Sequence, residues 1–239
     1  NMATQPPLLL LQKTMVVVEG VARKLYPETN IWNVSKPILE NWLKETKDKY
    51  GLIVTTEIME LKYLDDICNS TDIIQIGSRN MQNYPLITAA AKTNKPMMIK
   101  RHYGASLRDW LGAAEYALCE GNTKIILCER GVSVPHTHKD SSRFLLDLQV
   151  VPAAKEITHL PIAVDPSHAT FWRPWVKPMA LSAIAAGADG IMIEVHPNPK
   201  KALVDPLQPI DFKELKNLMP LMNKVAKTTW NKKLYLSLI

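Results

Sequence analysis

The sequence predicts an α/β fold of the (β/α)8 TIM-barrel type, incomplete, with six recognisable strands and a helical N-terminal segment. Short apolar runs alternate with helical patterns from Leu52 onward. Runs such as Pro161 to Val164 and Ile191 to Ile193 are almost continuously apolar, which is typical of parallel strands buried on both faces. Polar residues follow these runs at once, beginning with Asp165 and Glu194. Such strand ends form the functional rim of an α/β barrel.

The first fifty residues have a different pattern. Apolar residues recur every three or four positions from Leu8 to Leu25 and again from Lys36 to Tyr50, which predicts two helices. The β-branched run Met15 to Val18 leaves a strand open as an alternative. We therefore predict a helical segment over residues 1–50 and an α/β-barrel domain over residues 51–239.

From residue 51 onward, strand and helix patterns alternate regularly. Strands are predicted at Leu52 to Thr55, Ile73 to Ile76, Pro96 to Ile99, Lys124 to Leu127, Pro161 to Val164 and Ile191 to Ile193. Helices are predicted at Leu61 to Cys68, Tyr84 to Lys92, Ser106 to Glu120, Gln149 to Ile157, Pro178 to Ala186 and, capped by Asp211, Phe212 to Val225. Because a closed barrel has eight strands, the predicted sheet is open unless the N-terminal segment completes it.

Composition narrows the function classes. A chain of 239 residues that is 46% hydrophobic can bury a large core. Its apolar runs are too short to span a membrane, and no cationic run with interleaved aromatic residues indicates nucleic-acid binding. The net charge of +6 fits a small anionic substrate. The three cysteines are odd in number and lack metal-binding spacing, so we expect reduced thiols in a cytoplasmic protein.

Cationic residues follow three of the predicted strands. They are Arg79, Lys100, Arg101 and Arg130. Arginine binds carboxylate or phosphate with a two-pronged guanidinium, and lysine adds a point charge. Converging at one rim, they would suit a small substrate that carries both groups. Each arginine alone could equally form a surface ion pair.

Three further polar residues follow the last two strands. His168, Glu194 and Asp205 offer one nitrogen and several oxygens, which is a donor set for a divalent metal. Individually, His168 could be a structural hydrogen-bonding residue, and the two carboxylates could be loop caps.

Several motifs carry a family resemblance. They are Gln75 to Asn83 (QIGSRNMQN), Thr93 to Pro96 with Lys100-Arg101, Ile126 to Gly131 (ILCERG), Leu160 to Thr170 (LPIAVDPSHAT) and Ala186 to Pro199. From about Gly51 to Leu218 the chain resembles the short, single-domain 3-deoxy-7-phosphoheptulonate (DAHP) synthases. The related 3-deoxy-octulosonate-8-phosphate synthases match less well.

The resemblance implies an α/β barrel that joins phosphoenolpyruvate to erythrose 4-phosphate with a divalent metal such as Mn²⁺. It implies that Arg79, Lys100 and Arg130 hold phosphoenolpyruvate, and that His168 and two carboxylates bind the metal. Those carboxylates are Glu194 and Asp205. We also predict Arg101 as a substrate-binding residue. We predict Lys100 and His168 as the catalytic residues, and a dimer or tetramer by resemblance.

The N-terminal part departs from this family. The family's fourth metal ligand is a cysteine, but no cysteine precedes Cys68, and nothing matches the family's Lys-Pro-Arg-Thr motif. Residues 8–44 instead resemble a fragment of the UbiB-type atypical kinases, without their nucleotide-binding motifs. A three-residue metal site should bind more weakly or be lost. Loss of the motif's arginine would remove roughly 1.5–3 kcal/mol of anion binding.

Three hypotheses follow from this combination. In the first hypothesis, the chain is an active synthase that condenses phosphoenolpyruvate with an aldehyde, either a sugar phosphate or an altered acceptor. Alternatively, it is a non-catalytic relative that binds a small anion or a protein partner. The third possibility is a fused or misassembled reading frame, joined near Lys44 to Gly51.

Overall fold

The computed structural model describes residue 45 and residues 49–135 and 144–230. The two N-terminal helices predicted between residues 8 and 50 lie almost wholly outside the described residues. The predicted boundary between residues 50 and 51 therefore stays a prediction. From Ile53 onward the described residues belong to one compact unit.

Strands and helices alternate throughout this unit, as the sequence predicts. The strands are β1 (Thr55–Ile58), β2 (Ile73–Ile76), β3 (Met97–Lys100), β4 (Ile125–Glu129), β5 (Ile162–Val164) and β6 (Gly190–Ile191). The α-helices are α1 (Leu64–Ser70), α2 (Tyr84–Lys92), α3 (Leu107–Cys119), α4 (Val150–Ile157), α5 (Pro166–Thr170), α6 (Arg173–Ala185) and α7 (Phe212–Trp230). Short 3₁₀ helices occur at Leu61–Tyr63, Ser78–Asn80 and Pro199–Lys201.

The six strands form one parallel sheet in chain order, β1 to β6. Each strand pairs with the next one along the chain, so the carboxyl ends of all six lie at one edge of the sheet. This confirms the predicted strand number and direction. Within the part of the chain that is described, β1 and β6 are the outer strands of the sheet.

The two faces of the sheet differ in what they bury. One face contributes isoleucine, leucine and valine side chains to a large core shared with the helices, for example Ile74, Ile99 and Leu127. The other face carries a small cluster of Met98, Cys128, Ala163 and Met192. Because side chains alternate along a strand, the residues two positions beyond Met98 and Ala163 fall on this second face. They are Lys100 and Asp165.

Local sequence signals determine several helix ends. The Ser106 hydroxyl accepts from the Asp109 backbone N–H at 3.2 Å, and the Asp109 carboxylate accepts from the Ser106 N–H, which forms a capping box at the start of α3. Asp211 and Glu214 make the same reciprocal pair before α7. The predicted cap at Asp211 is therefore confirmed.

One helix start near His168 was predicted wrongly, and one helix was not predicted. The helix predicted to begin at Pro178 begins at Arg173, because Pro174 lies in its first turn and Pro178 is accommodated inside it. The polar strand end after Val164 continues into the separate helix α5, whose start is capped by the Asp165 carboxylate. A five-residue helix is too short to produce a clear apolar period.

The buried indole of Trp110 connects α3 to the sheet. Its Nε1 donates to the Ile99 carbonyl at 3.0 Å, and the side chain is fully buried. We predict that Trp110→Phe lowers the free energy of unfolding by about 1–3 kcal/mol, since the Ile99 carbonyl loses its buried donor. Denaturant unfolding followed by circular dichroism measures this.

The matched control is Trp230→Phe. The Trp230 indole also donates to carbonyls, but it is 46% exposed. Water can replace that donor, so the loss should be well below that of Trp110→Phe. Equal losses for the two variants would contradict the role assigned to burial.

Candidate active site

The predicted site residues follow successive strands at one edge of the sheet. Arg79 lies in the 3₁₀ helix after β2, Lys100 ends β3 and Arg130 follows β4. His168 lies in α5 after β5, and Glu194 follows β6. Since all these strands run parallel, the residues share one rim.

A buried carboxylate links two of these residues. The Asp165 side chain is fully buried, and its Oδ2 accepts from His168 Nδ1 at 2.7 Å and from Lys100 Nζ at 3.4 Å. Burial alone would raise the pKa of Asp165, but the charge and hydrogen bonds of His168 and the charge of Lys100 hold that pKa below its ordinary value. Asp165 is therefore an ionised group that positions both side chains.

The register explains how Lys100 reaches Asp165. Lys100 pairs with Cys128, and Cys128 pairs with Ala163, two residues before Asp165. Cys128 and Ala163 are small, which leaves room for the lysine stem to cross β4. Burial raises the pKa of the Cys128 thiol to about 12, so this thiol is a packing group and not a nucleophile.

His168 is held in a defined orientation. Its backbone N–H donates to Asp165 Oδ1 at 3.0 Å, while its Nδ1 contacts Oδ2. In a neutral ring this contact places the proton on Nδ1 and the lone pair on Nε2. A carboxylate behind the ring is the usual support for a metal-binding or proton-transferring histidine.

Arg101 points away from Lys100 and is nearly fully buried. Its Nη1 donates to Glu129 Oε2 at 3.0 Å and to Asp147 Oδ2 at 2.7 Å, and its Nε donates to the Ala105 carbonyl. Burial raises the pKa of Glu129, and the neighbouring Arg101 charge opposes this. Glu129 Oε1 accepts from the Gly131 N–H at 2.6 Å. These contacts favour a positioning role for Arg101 over the substrate contact predicted from the sequence.

Arg79 is the most exposed of the predicted cations, with 73% of its side chain accessible. Its Nη2 lies 3.5 Å from Glu57 Oε1 and 3.7 Å from Met59 Sδ. A Cβ at Gly77 would lie 1.9 Å from Glu57 Oε1, so only glycine allows this approach of the carboxylate. Glu57 is a site residue that the sequence analysis did not assign.

Arg130 packs against an aromatic ring. Its Cζ lies 4.6 Å from the centre of the Phe144 ring, within the range of a cation–π contact. Gly131 has φ +101°, and a Cβ there would lie 2.7 Å from the Phe144 Cβ. The glycine thus permits the chain to turn tightly after Arg130.

The predicted metal ligands do not form a closed site. Glu194 is oriented by two buried neighbours: its backbone N–H donates to Ser167 Oγ at 3.0 Å, and its Oε2 accepts from Gln208 Nε2. Asp205 lies in the loop beyond, with φ +48°. Among residues 49–135 and 144–230, no three histidine, cysteine or acidic side chains gather to hold a metal ion. The donor set does not fit a preformed metal centre.

Gln208 is a second residue that the sequence analysis missed. It is fully buried and contacts Glu194, while its Oε1 has no hydrogen-bond partner. In the sequence it is a single amide between Leu207 and Pro209, with no periodic or motif signal. Only the fold reveals its position beside a strand-end carboxylate.

The model of the DAHP synthetase I family matches residues 25–231. The chain belongs to this family. A model of the UbiB helical domain matches residues 1–30, which agrees with the resemblance noted at the N-terminus.

Known DAHP synthases and their relatives show the same similarity. The phospho-2-dehydro-3-deoxyheptonate aldolase of Thermotoga maritima is 45% identical over 185 residues, covering 77% of this chain and 54% of the relative. The 2-dehydro-3-deoxyphosphooctonate aldolase of Geotalea uraniireducens is 29% identical, covering 74% of this chain and 67% of the relative. The chain thus spans about half the length of the Thermotoga enzyme.

Solved structures support the fold assignment. The crystal structure of the T. maritima DAHP synthase superposes with a TM-score of 0.75 at 44% identity, covering 79% of this chain and 55% of that chain. A truncated form of the T. maritima enzyme gives a TM-score of 0.74, with 79% and 72% covered. None of the described helices is both long enough and apolar enough to cross a membrane.

The buried position of Arg101 makes a prediction about stability. We expect Arg101→Met to lower the free energy of unfolding by about 3–5 kcal/mol, because Glu129 would remain buried without its cation. The double variant Arg101→Met/Glu129→Gln should regain part of that loss, since the amide carries no charge. Urea unfolding of both variants tests this.

A substrate-binding role predicts the opposite pattern. If Arg101 contacted substrate directly, Arg101→Met would weaken phosphoenolpyruvate binding and leave the unfolding midpoint near that of the parent chain. Measuring ligand affinity by calorimetry beside the unfolding curve separates the two roles.

Proposed function

We propose that this chain is a DAHP-synthase-type enzyme, which condenses phosphoenolpyruvate with an aldehyde and releases inorganic phosphate. The observation that carries the proposal is the shared rim of Arg79, Lys100 and Arg130, with Asp165 holding Lys100 and His168 in place. Family membership supports the reaction class.

The cations suit the two anionic groups of phosphoenolpyruvate. Arg79 and Arg130 each offer a planar guanidinium that can donate two parallel hydrogen bonds to phosphate or carboxylate. Lys100 adds a point charge fixed by the Asp165 carboxylate 3.4 Å away. Buried fixed charges stabilise developing negative charge without reorganisation during the reaction.

The reaction forms one carbon–carbon bond and one carbon–oxygen bond to water, and it breaks the carbon–oxygen bond to phosphate. The two protons of the water end on the former aldehyde oxygen and on the released phosphate. The methylene carbon of phosphoenolpyruvate attacks the aldehyde carbon, and the aldehyde oxygen takes up a proton. Water adds to the carbon that carries the phosphate, and inorganic phosphate leaves to give a 2-keto product. In this proposal the Nε2 lone pair of His168, whose ring Asp165 orients, takes a proton from the attacking water and passes it to the former aldehyde oxygen.

A divalent metal belongs to this proposal only by resemblance. His168, Glu194 and Asp205 would be its ligands, but they do not gather into a metal site in the structure. No step above depends on a metal.

The separation of the predicted metal ligands His168, Glu194 and Asp205 favours a second candidate function. A non-catalytic relative would keep the anion-binding cations and would not need a complete metal site. Such a protein would bind phosphoenolpyruvate or a similar anion without turning it over. Turnover of phosphoenolpyruvate therefore distinguishes the active synthase from the non-catalytic relative.

We predict that the purified chain releases phosphate from phosphoenolpyruvate when an aldehyde such as erythrose 4-phosphate is present, and that Arg130→Ala abolishes this release. Loss of the guanidinium removes charge that the leaving phosphate requires. A colorimetric phosphate assay, with and without added Mn²⁺, measures the rate. Absence of release from the parent chain against a panel of aldehydes would favour the non-catalytic candidate.

Arg79→Ala tests anion binding without turnover. Because Arg79 is exposed and its contacts are long, the variant should fold normally. We expect phosphoenolpyruvate affinity to fall roughly tenfold to a hundredfold, corresponding to about 1.5–3 kcal/mol for a charge-assisted contact. Calorimetric titration measures the affinity.

Lys124→Ala is the matched control for Arg79→Ala. Lys124 precedes β4 at the opposite edge of the sheet, and its Nζ donates to the exposed Asn94 carbonyl. The substitution Lys124→Ala therefore removes one positive charge at a distance from the rim. If both variants weaken binding equally, net charge and not the rim would explain the affinity.

A further inference from the structure

The ring of Phe144 lies where the connections that follow β3, β4 and β5 meet. The Arg130 guanidinium carbon Cζ lies over it, 4.6 Å from the ring centre. The Tyr103 ring, from the connection after β3, stacks on it with 5.6 Å between the ring centres. A Cβ at Gly131 would lie 2.7 Å from the Phe144 Cβ and 3.0 Å from the Ala169 Cβ of α5, so this turn packs between the two side chains. Phe144 therefore contacts both the cation and the turn that carries it.

Backbone hydrogen bonds fix the main chain of Phe144 beside the turn after β4. Val132 and Leu145 exchange two such bonds of 2.9 Å each, so the residue that follows Phe144 is paired with the turn. The fully buried Glu129 carboxylate accepts from the Asp147 N–H at 3.4 Å, which adds a second connection between the same two segments. The backbone that carries the ring cannot withdraw from the turn without breaking these bonds.

Two further rings support Phe144 from the side of β3, and His102, Tyr103 and Phe144 together form an aromatic row. The His102 and Tyr103 ring centres are 4.0 Å apart, and His102 Nδ1 accepts from the Gly104 N–H at 3.1 Å. The Ser133 N–H donates to the Tyr103 carbonyl at 2.7 Å, which joins the row to the connection after β4. Aromatic rings in contact restrict each other's orientation, so the row limits the rotation of the Phe144 side chain.

An aromatic ring orients an arginine differently from a carboxylate. Arg101 shows the effect of carboxylates: its Nη1 donates to Glu129 and to Asp147, which occupy that donor group and neutralise its charge. The face of a ring attracts a guanidinium through its quadrupole and uses none of the N–H donors, which lie in the guanidinium plane. The contact with Phe144 can therefore orient Arg130 without competing with an anionic ligand.

We propose that Phe144, supported by Tyr103 and His102, is a positioning residue that holds the Arg130 guanidinium in the orientation that binds a phosphate or carboxylate group. This inference rests on the proposed function, in which Arg130 binds phosphoenolpyruvate. Phe144 acts through Arg130 and needs no contact of its own with the ligand. The inference adds a specific requirement to that function, namely an aromatic ring at position 144.

A double-mutant cycle tests the coupling between the ring and the cation, with phosphoenolpyruvate titrated calorimetrically into the full chain. We expect Phe144→Leu to weaken binding roughly threefold to tenfold, because leucine lacks the quadrupole that orients the cation. Phe144→Tyr keeps the ring and should stay within about twofold of the parent affinity. In the Arg130→Met background, Phe144→Leu should have no further effect. Independent, additive losses would show that Phe144 contributes only general packing and would overturn the proposal.

Tyr116→Leu is the matched control for loss of a stacked ring. Tyr116 of α3 stacks on Tyr84 of α2 with 4.1 Å between the ring centres, and Tyr116 is 45% exposed. The substitution removes an aromatic contact between two helices outside the sheet, so it should leave phosphoenolpyruvate affinity unchanged. If it weakens binding as much as Phe144→Leu does, loss of packing explains both variants and the positioning role is wrong.

The mobility of the Arg130 side chain provides a measurement that needs no ligand. Nitrogen-15 relaxation of its Nε–H group, assigned by its absence in Arg130→Met, should show an ordered group in the parent chain and in Phe144→Tyr and a mobile one in Phe144→Leu. Unchanged order in Phe144→Leu would refute the positioning role, while phosphoenolpyruvate binding by the parent chain would still support the synthase proposal. If the parent chain does not bind phosphoenolpyruvate, the synthase proposal fails, and the relaxation measurement alone decides whether Phe144 orients Arg130.

Discussion

The structure depends on one buried carboxylate. Asp165 is sealed from solvent at the end of β5, where an unpaired charge would be prohibitively costly. Folding must therefore bring Lys100 from β3 and His168 from α5 to it. The contact with Lys100 spans β4, over the small side chains of Cys128 and Ala163. Formation of the sheet and assembly of the rim are thus parts of one event.

Alternation along β3 explains why two adjacent cations have different environments. Lys100 lies on the face of the sheet that carries Asp165, so the next residue, Arg101, points to the helix-covered face. There it meets the fully buried Glu129. The sequence could not predict this division, because both residues followed the same apolar run. The carboxylate partners come from positions 28 and 65 residues further along the chain.

Much of the fold was nevertheless predictable, because buried parallel strands leave an apolar signal that polar flanks interrupt. Every predicted strand appears, and the ends differ from the predicted ones by at most three residues. Prediction failed where local signals conflicted, as at Pro178, or where an element was too short to show a period, as in α5. The rim residues were found because each directly follows a strand. Glu57 and Gln208 were missed because each contacts a side chain from a distant part of the chain: Glu57 contacts Arg79, and Gln208 contacts Glu194.

Ion-pair geometry separates four of the cations that follow the strands into two groups. Lys100 and Arg101 contact carboxylates with almost no solvent access, so an incoming anion cannot displace those partners without leaving a buried charge. Arg79 lies 3.5 Å from the Glu57 carboxylate and Arg173 lies 3.9 Å from the Glu214 carboxylate, and both carboxylates are at least partly exposed. Such exposed ion pairs contribute little to stability, so a ligand can replace the carboxylate with little loss of folding free energy. The buried pairs therefore define the shape of the rim, and the loose pairs are the places where a ligand can gain a cation at little cost to the fold.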